Sequence, residues 1–232
     1  MSKLHTGIYK IRTKQYNTKK QMKNIMVFGA SGGTGLEVVE QALETGLQVT
    51  VVLRHPDAFP IRHENLRIIK GDVLQPQTFE NAFFGIEAVV SCLGTRNREP
   101  TTVYSEGVTN IITAMQKLNL DRIICLSAGA VVVPPNASFI MKFIIKNILQ
   151  RLFKYSYADM LKMETYLINS ATNWTVIRPP RLLNGDKTGK YRTVINGFLT
   201  GMSSLTRSDL AHYILHHLDD EKTYKSKVEI SY

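Results

Sequence analysis

A single α/β domain with a doubly wound, mostly parallel Rossmann sheet and helices on both faces is the expected fold, on three grounds. Apolar, β-branched runs alternate with segments of helical periodicity along the chain from Ile25 onward. The first run, Ile25-Met-Val-Phe28, opens into a glycine turn with Gly29, Gly32 and Gly35 at a spacing of three. The residues able to do chemistry recur directly after the apolar runs. Strand–helix alternation implies right-handed crossovers and parallel pairing, and ligands then sit beyond the carboxyl ends of the strands.

The turn Gly29-Ala-Ser31-Gly32-Gly33-Thr34-Gly35 organises the rest. Glycine suits a backbone that must reverse sharply and approach a pyrophosphate closely. From Gly33 the pattern becomes helical, with Leu36, Val39, Ala42 and Leu43 on one face and Thr45-Gly46 at the end. The free N–H groups and positive dipole end of that helix point at the anion. A strand before the turn and a helix after it are the context that turns a glycine motif into a dinucleotide site.

Gln48–Leu53 reads as the second strand and ends in Arg54-His55-Pro56. An acid near this point commonly binds ribose hydroxyls in NAD sites. Here Arg54 stands instead, and a guanidinium pairs with a 2′-phosphate, so the cofactor expected is NADP(H). Leu66–Lys70 is the third strand, followed by Gly71-Asp72-Val73. Asp72 has two readings: acceptor for the adenine amino group, or cap of the next helix, expected from about Pro76 to Phe84 and closed by Gly85. Ala88–Cys92 is the fourth strand, running into Leu93-Gly94-Thr95-Arg96-Asn97, where the small Gly94 suggests close approach to a ligand. A helix marked by Val103, Val108, Ile111, Ile112 and Met115 ends near Leu118. Arg122–Leu126 is the fifth strand and ends in Ser127-Ala128-Gly129.

Residues 139–153 differ in character: Phe139, Ile140, Phe143, Ile144, Ile148, Leu149, Leu152 and Phe153 carry the apolar load, interleaved with Lys142, Lys146 and Arg151, and Lys154 follows. They read as a short amphipathic, lid-like helix, with a substrate lid, a dimer face, a membrane-surface helix and core all open. A helix from Ala158 to Ile168 follows, then a sixth strand, Thr175–Arg178, which breaks at Pro179-Pro180-Arg181. Tyr191–Ile195 and Lys227–Ile230 read as short strands. A last helix starts at Ser208-Asp209, with Leu210, Ile214, Leu215 and Leu218 on its apolar face. The sequence offers no internal repeat, low-complexity linker or second domain.

Hydrophobic content of 44% and charged content of 21% are ordinary for a soluble globule. Cys92 and Cys125 sit in apolar runs and read as buried thiols rather than a disulfide. No run is long and apolar enough to span a bilayer, and no signal-peptide core opens the chain, so the expected setting is cytoplasmic, without stable membrane insertion. Of the ten excess positive charges, six belong to Lys3, Lys10, Arg12, Lys14, Lys19 and Lys20, in a stretch with no acid. Residues 1–21 therefore read as a solvated, disordered tail before a domain spanning 22–232, and the charge excess is no nucleic-acid signal.

His212, His216 and His217 lie on the last helix without a cysteine or further ligand nearby, so no metal is expected. The tyrosine–lysine pair of short-chain dehydrogenases, four residues apart, occurs once, as Tyr16 and Lys20 in the tail. Alcohol–ketone chemistry thus lacks its acid. Hydride acceptors that take their proton from solvent, such as flavins and linear tetrapyrroles, need no such pair; the protein mainly holds two rings face to face.

Phe28-Gly-Ala-Ser-Gly-Gly-Thr-Gly35, Val49-Thr-Val-Val-Leu-Arg54, Gly71-Asp-Val-Leu74, Leu93-Gly-Thr-Arg-Asn97 and Pro100-Thr-Thr-Val-Tyr-Ser-Glu-Gly107 resemble the biliverdin reductase B (NADPH flavin reductase) family of atypical short-chain dehydrogenases. Asn110–Met115, Thr188-Gly-Lys-Tyr191 and Asp209-Leu210 continue the resemblance to the C-terminus. It implies a monomer or weak dimer that binds NADPH and reduces a small-molecule acceptor, a flavin or similar. The implied cofactor contacts are the glycine loop, Arg54 on the 2′-phosphate, Asp72 and Val73 by the adenine, Leu93 to Arg96, Ser127, Ala128, Pro180 and Arg181. Ser127 is the implied catalytic residue, orienting the nicotinamide or hydrogen-bonding the acceptor. Two departures fall on the acceptor side: Arg181 replaces a histidine, and the segment from Gly129 to Asp159 is longer and more apolar. Trp174-Thr-Val-Ile-Arg-Pro-Pro-Arg-Leu182 looks more like bacterial NAD(P)H-binding relatives and the regulator branch similar to the nitrogen metabolite repressor. The functional classes are therefore a reductase and a non-catalytic NADP(H) sensor.

Overall fold

The computed structural model describes residues 22–95, 97–135 and 137–232. The basic tail, residues 1–21, and Arg96 lie outside them. Strand β1 (Asn24–Phe28) leads through the glycine turn into helix α1 (Gly33–Glu44), then β2 (Gln48–Leu53) and β3 (Leu66–Lys70). The chain then crosses to β4 (Ala88–Ser91), α2 (Ser105–Gln116) and β5 (Arg122–Leu126). The chain continues through α3 (Phe139–Ile144), a single turn α4 (Gln150–Leu152), α5 (Lys154–Ile168), β6 (Asn173–Arg178) and β7 (Arg181–Leu183). β8 (Arg192–Ile195), β9 (Ser204–Thr206), α6 (Arg207–His216) and β10 (Ser226–Ser231) complete the described elements.

The main sheet runs β3-β2-β1-β4-β5-β6-β10-β8, with β7 and β9 forming a separate parallel pair. Every pairing in it is parallel except the edge pair β10–β8. The order reverses between β1 and β4, and that switch point opens the crevice where the glycine turn sits. Side-chain alternation splits the core in two. Ile25 and Val27 face α1 and α6, with Val38, Leu210 and Ile214. Met26 and Phe28 face α2 and α5, with Val108, Ile111, Met163 and Leu167.

The expected helix at 76–84 is instead two 3₁₀ turns, Pro76–Thr78 and Glu80–Phe83. The backbone leaves helical dihedrals at Phe79 (φ −139°, ψ −13°), which lets the Phe79 ring pack edge-on against Phe28 at 5.1 Å. Gly85 closes this stretch at φ +81°, as expected. The expected helix at 139–153 is also broken. A π turn, Ile145–Leu149, separates α3 from α4, and Phe153 (φ −110°) interrupts the path into α5. Helix α5 begins at Lys154 rather than Ala158. Of this segment only Ile145 is buried, so it is not core. Helix α6 ends at His216, and Leu218 is buried beyond it. Cys92 and Cys125 are free and buried, and burial pushes the Cys92 thiol up to about 12. Among the described residues, no helix is long and apolar enough to cross a membrane.

Candidate functional site

The glycine turn is tight because of what surrounds it. Gly32 N–H bonds Gly29 O at 3.0 Å. Gly29 has φ +73°, and a Cβ there would lie 2.3 Å from Cys92 O. A Cβ on Gly35 would lie 2.3 Å from Gly29 O. The turn thus presses against the exit of β4 and against the first turn of α1, and only glycine fits. Gly32 caps α1 without a side-chain bond, and the first helical turn holds no acid. A glycine-rich turn below a helix start with no side-chain cap fits the diphosphate of a dinucleotide.

One residue joins this loop that no local motif places there. Arg207, the first residue of α6, lies across Gly33: a Cβ there would meet Arg207 Cδ and Nε at 2.8 Å. Its Nη1 donates to Asn184 Oδ1 at 2.8 Å. A guanidinium is thereby fixed over the start of α1. The approach spans most of the chain, so neither periodicity nor motif spacing reveals it.

The other expected residues sit at the strand ends. Arg54 is exposed directly after β2. Asp72 closes its own turn, accepting Leu74 N–H at Oδ1 (3.0 Å); it caps no helix, since the stretch after it is a 3₁₀ turn preceded by Gln75 with no side-chain cap bond. Val73 is buried, and its carbonyl accepts from Asn110 Nδ2 at 2.9 Å. Val73 and Leu93 both pack against Gly107 on α2. Thr95 N–H donates to Tyr104 Oη at 3.3 Å. No described atom lies within 4 Å of a Cβ on Gly94, so that side of the loop is open. Ser31 is exposed and Thr34 buried. Pro180 is half-buried, and Arg181 is exposed at the start of β7.

Ser127 follows β5, and its N–H continues the ladder to Ile177 O at 2.8 Å. Its hydroxyl donates to Glu164 Oε1 at 2.8 Å. Glu164, on α5, is 2% exposed. It also accepts from Arg178 Nε at 3.0 Å and from Arg178 Nη2, and Lys227 Nζ stands at 3.4 Å. Burial raises the Glu164 carboxyl, but the Arg178 bonds and charge, with Ser127 and Lys227, outweigh it and hold the group below the usual carboxylate range. Ser127 therefore rests on a buried ionised carboxylate. Ala128, beside it, is half-buried, and Gly129 N–H bonds Pro179 O at 2.8 Å. Asp209 anchors the loop before β8, accepting Thr188 N–H and Oγ1, Gly189 N–H and Tyr232 Oη.

A cleft of about 480 Å³ opens among Leu74, Thr101, Thr102, Tyr155, Asp159 and Lys162, beside the carboxyl ends of β3 and β4. A smaller one of about 250 Å³, among Asn24, Gln48, Asn65 and Phe84, lies at the amino ends, away from where such sheets bind ligands. Neither is lined by the glycine turn or Ser127. The last-helix histidines bond locally: His212 Nδ1 to Tyr191 Oη at 2.8 Å, and His216 Nδ1 to His212 O at 2.9 Å. Among the described residues, no three potential ligands cluster for a metal.

Fold and loop together define a dinucleotide-binding Rossmann domain. The chain belongs to an NAD(P)H-binding family, whose model matches residues 29–221, and its cofactor is NAD(P)(H). It is 27% identical over 241 residues to divinyl chlorophyllide a 8-vinyl-reductase, chloroplastic, of Arabidopsis thaliana, covering 92% of this chain and 55% of that one. It is 29% identical over 108 residues to photosystem II assembly factor Ycf39 of Cyanophora paradoxa, covering 45% of this chain and 34% of that one. The first of these matches spans about half the length of the relative, the second about a third. A short-chain dehydrogenase/reductase of Veillonella parvula in complex with NADP superposes with TM-score 0.77 at 19% identity, over 91% of this chain and 95% of that one. A Streptococcus pneumoniae protein provisionally assigned as an NADH-flavin reductase gives 0.71 at 19% identity, over 90% and 99%. These likenesses carry the fold.

Proposed function

We propose that the protein is an NADPH-dependent reductase delivering hydride to a planar conjugated acceptor, a flavin, a biliverdin-like tetrapyrrole or a quinone. The carrying observation is the direction of the Ser127 hydrogen bond. With its proton given to Glu164, Oγ faces a ligand as an acceptor. Such a group orients a carboxamide or ring N–H; it does not protonate an alkoxide. That suits acceptors which draw their proton from water. Bound NADPH supplies the hydride, and one proton from solvent completes the two-electron reduction. The glycine loop and Arg207 hold the diphosphate, Arg54 the 2′-phosphate, and Arg181 pairs with an anionic acceptor. The resemblance to the biliverdin reductase B family supports this reading, as do relatives named for reducing a chlorophyllide and a flavin.

A second reading, an NADP(H)-binding regulator without turnover, is favoured by the relative named as an assembly factor. Steady-state assays of NADPH consumption with FMN, riboflavin and a short-chain quinone separate the two. Turnover with at least one acceptor is expected. Tight NADPH binding with none consumed would overturn the reductase reading and leave the regulator.

A further inference from the structure

The segment after β5 carries an apolar face that nothing in the described chain covers. Phe139 is 85% exposed, Ile140 71%, Phe143 54% and Ile148 50%. Side chains of this size are rarely left in water as a contiguous set without a partner. The segment is nevertheless moored. Ser138 caps α3 by accepting Met141 N–H at 3.3 Å. Ile145 is buried on the inner side, and Gln150 Nε2 donates to Ala130 O and Val131 O at 3.2 and 3.3 Å. The exposed face is therefore an outward presentation, held within a few residues of Ser127.

Charge selects the occupant. Lys146, Arg151 and Lys154 are exposed among these apolar side chains, and Lys142 is half-buried. Not one carboxylate occurs from Arg122 through Ala158. A second copy of the chain in a two-fold contact would set this cationic patch against itself. Residues 1–21 of the same chain are also basic and without an acid. A surface that is apolar beneath and anionic above complements both properties at once.

We infer that residues 139–154 dock the protein on the interface of an anionic lipid bilayer, apolar side chains in the acyl boundary and cations at the headgroups. Ala130 and Val131, three and four residues after Ser127, are then held near the membrane surface. Docking stands independently of which acceptor, if any, is reduced.

The test is co-sedimentation of the full-length protein with phosphatidylcholine vesicles, with and without phosphatidylglycerol. The tail is present throughout, so differences between variants report on the segment alone. Binding is expected with phosphatidylglycerol and falls with salt. The triple variant Lys142→Gln/Lys146→Gln/Arg151→Gln should weaken it by about a hundredfold, at roughly fivefold per cation. Phe139→Ser/Ile140→Ser/Phe143→Ser should weaken it by at least roughly tenfold while NADPH binding persists. Phe143→Trp should shift its emission to the blue on these vesicles and be quenched by brominated acyl chains. Undiminished binding of the serine variant, or a tryptophan that brominated lipid leaves unquenched, would overturn the inference. So would a lipid-free dimer that the serine variant dissolves, which would identify a second copy as the occupant.

Discussion

The glycine-turn half of the candidate site and the half after β5, proposed to face the acceptor, are built by different means. Around β1, β2 and β4 the site is backbone: Gly29 and Gly35 are held by carbonyls 2.3 Å from where a Cβ would stand. Around β5 and β6 it is side chains: Ser127, Glu164, Arg178 and the half-buried Lys227 converge in one network drawn from four separate stretches. The first half depends on steric exclusion and tolerates no added atom. The second depends on charge balance and tolerates no missing buried charge.

The sharpest way to break the acceptor half is Glu164→Ala. Removing one member of a buried pair strands the others, at about 3–5 kcal/mol. A large fall in melting temperature is expected, with β5 and β6 the first to lose hydrogen-exchange protection. The pH dependence has a definite sign. The Glu164 carboxyl lies below its ordinary range in the folded protein, because Arg178, Ser127 and Lys227 outweigh burial. Its stabilisation is full above the ordinary carboxylate range and is lost as pH falls through the depressed folded value. Glu164→Gln should therefore lose much of its stability deficit in acid. Asp209 has the same sign: burial raises it, and the Tyr232, Thr188 and Gly189 hydrogen bonds outweigh that. The acid limb will thus flatten in the variant without vanishing.

The nucleotide half breaks at Gly29→Ala. The left-handed backbone, φ +73°, costs about 1–2 kcal/mol for a residue with a Cβ. The contact with Cys92 O adds about 1–3 kcal/mol. Since relief requires the loop to move off β4, NADPH binding measured by calorimetry should be lost before folding is.

Two arginines sharpen the division within the nucleotide half. Arg54→Ala should cost NADPH about 1.5–3 kcal/mol, roughly ten- to a hundredfold, and leave NADH unchanged, because only NADPH carries the 2′-phosphate. Equal losses for both cofactors would place Arg54 elsewhere. Arg207→Met keeps the alkyl stem over Gly33 and removes the charge. It should weaken both cofactors alike, by about 0.5–1.5 kcal/mol, since the diphosphate is common to them.

The same division governs what could be read from the chain. β2, β3 and β5 occupy the residues expected of them, because each is a continuous β-branched run bounded by turn residues. The glycine turn was visible because its spacing is local. Glu164 was not, since a carboxylate in the middle of an amphipathic helix looks like a solvated position until Arg178 and Lys227 come to it through the sheet. Arg207 was hidden for the same reason, one contact joining residue 33 to residue 207. The helix expected at 76–84 failed on packing: Phe79 and Phe83 both turn toward Phe28, which a regular helix there does not provide. At 139–153 the sequence shows the periodicity but not its direction, because an apolar face reads the same whether it points inward or out.

The smallest expected effect is the most discriminating. Ser127→Ala removes one donor to Glu164 and leaves the carboxylate its Arg178 bonds and the nearby Lys227, so the fold should survive with a loss of about 1 kcal/mol. NADPH affinity should hold, because the phosphates and adenine carry most of it. Turnover then separates two roles. A hydroxyl that acted as general acid would cost about 10²–10⁴-fold when removed. One already committed to Glu164 can only accept a hydrogen bond and orient a ring, and its loss should cost less than about tenfold. The solvent isotope effect sharpens this, since water rather than Ser127 supplies the proton in both proteins and the effect should be unchanged by the substitution. A drop beyond a hundredfold, with an altered isotope effect, would show that the Ser127–Glu164 bond opens during turnover and that the proton passes through Oγ.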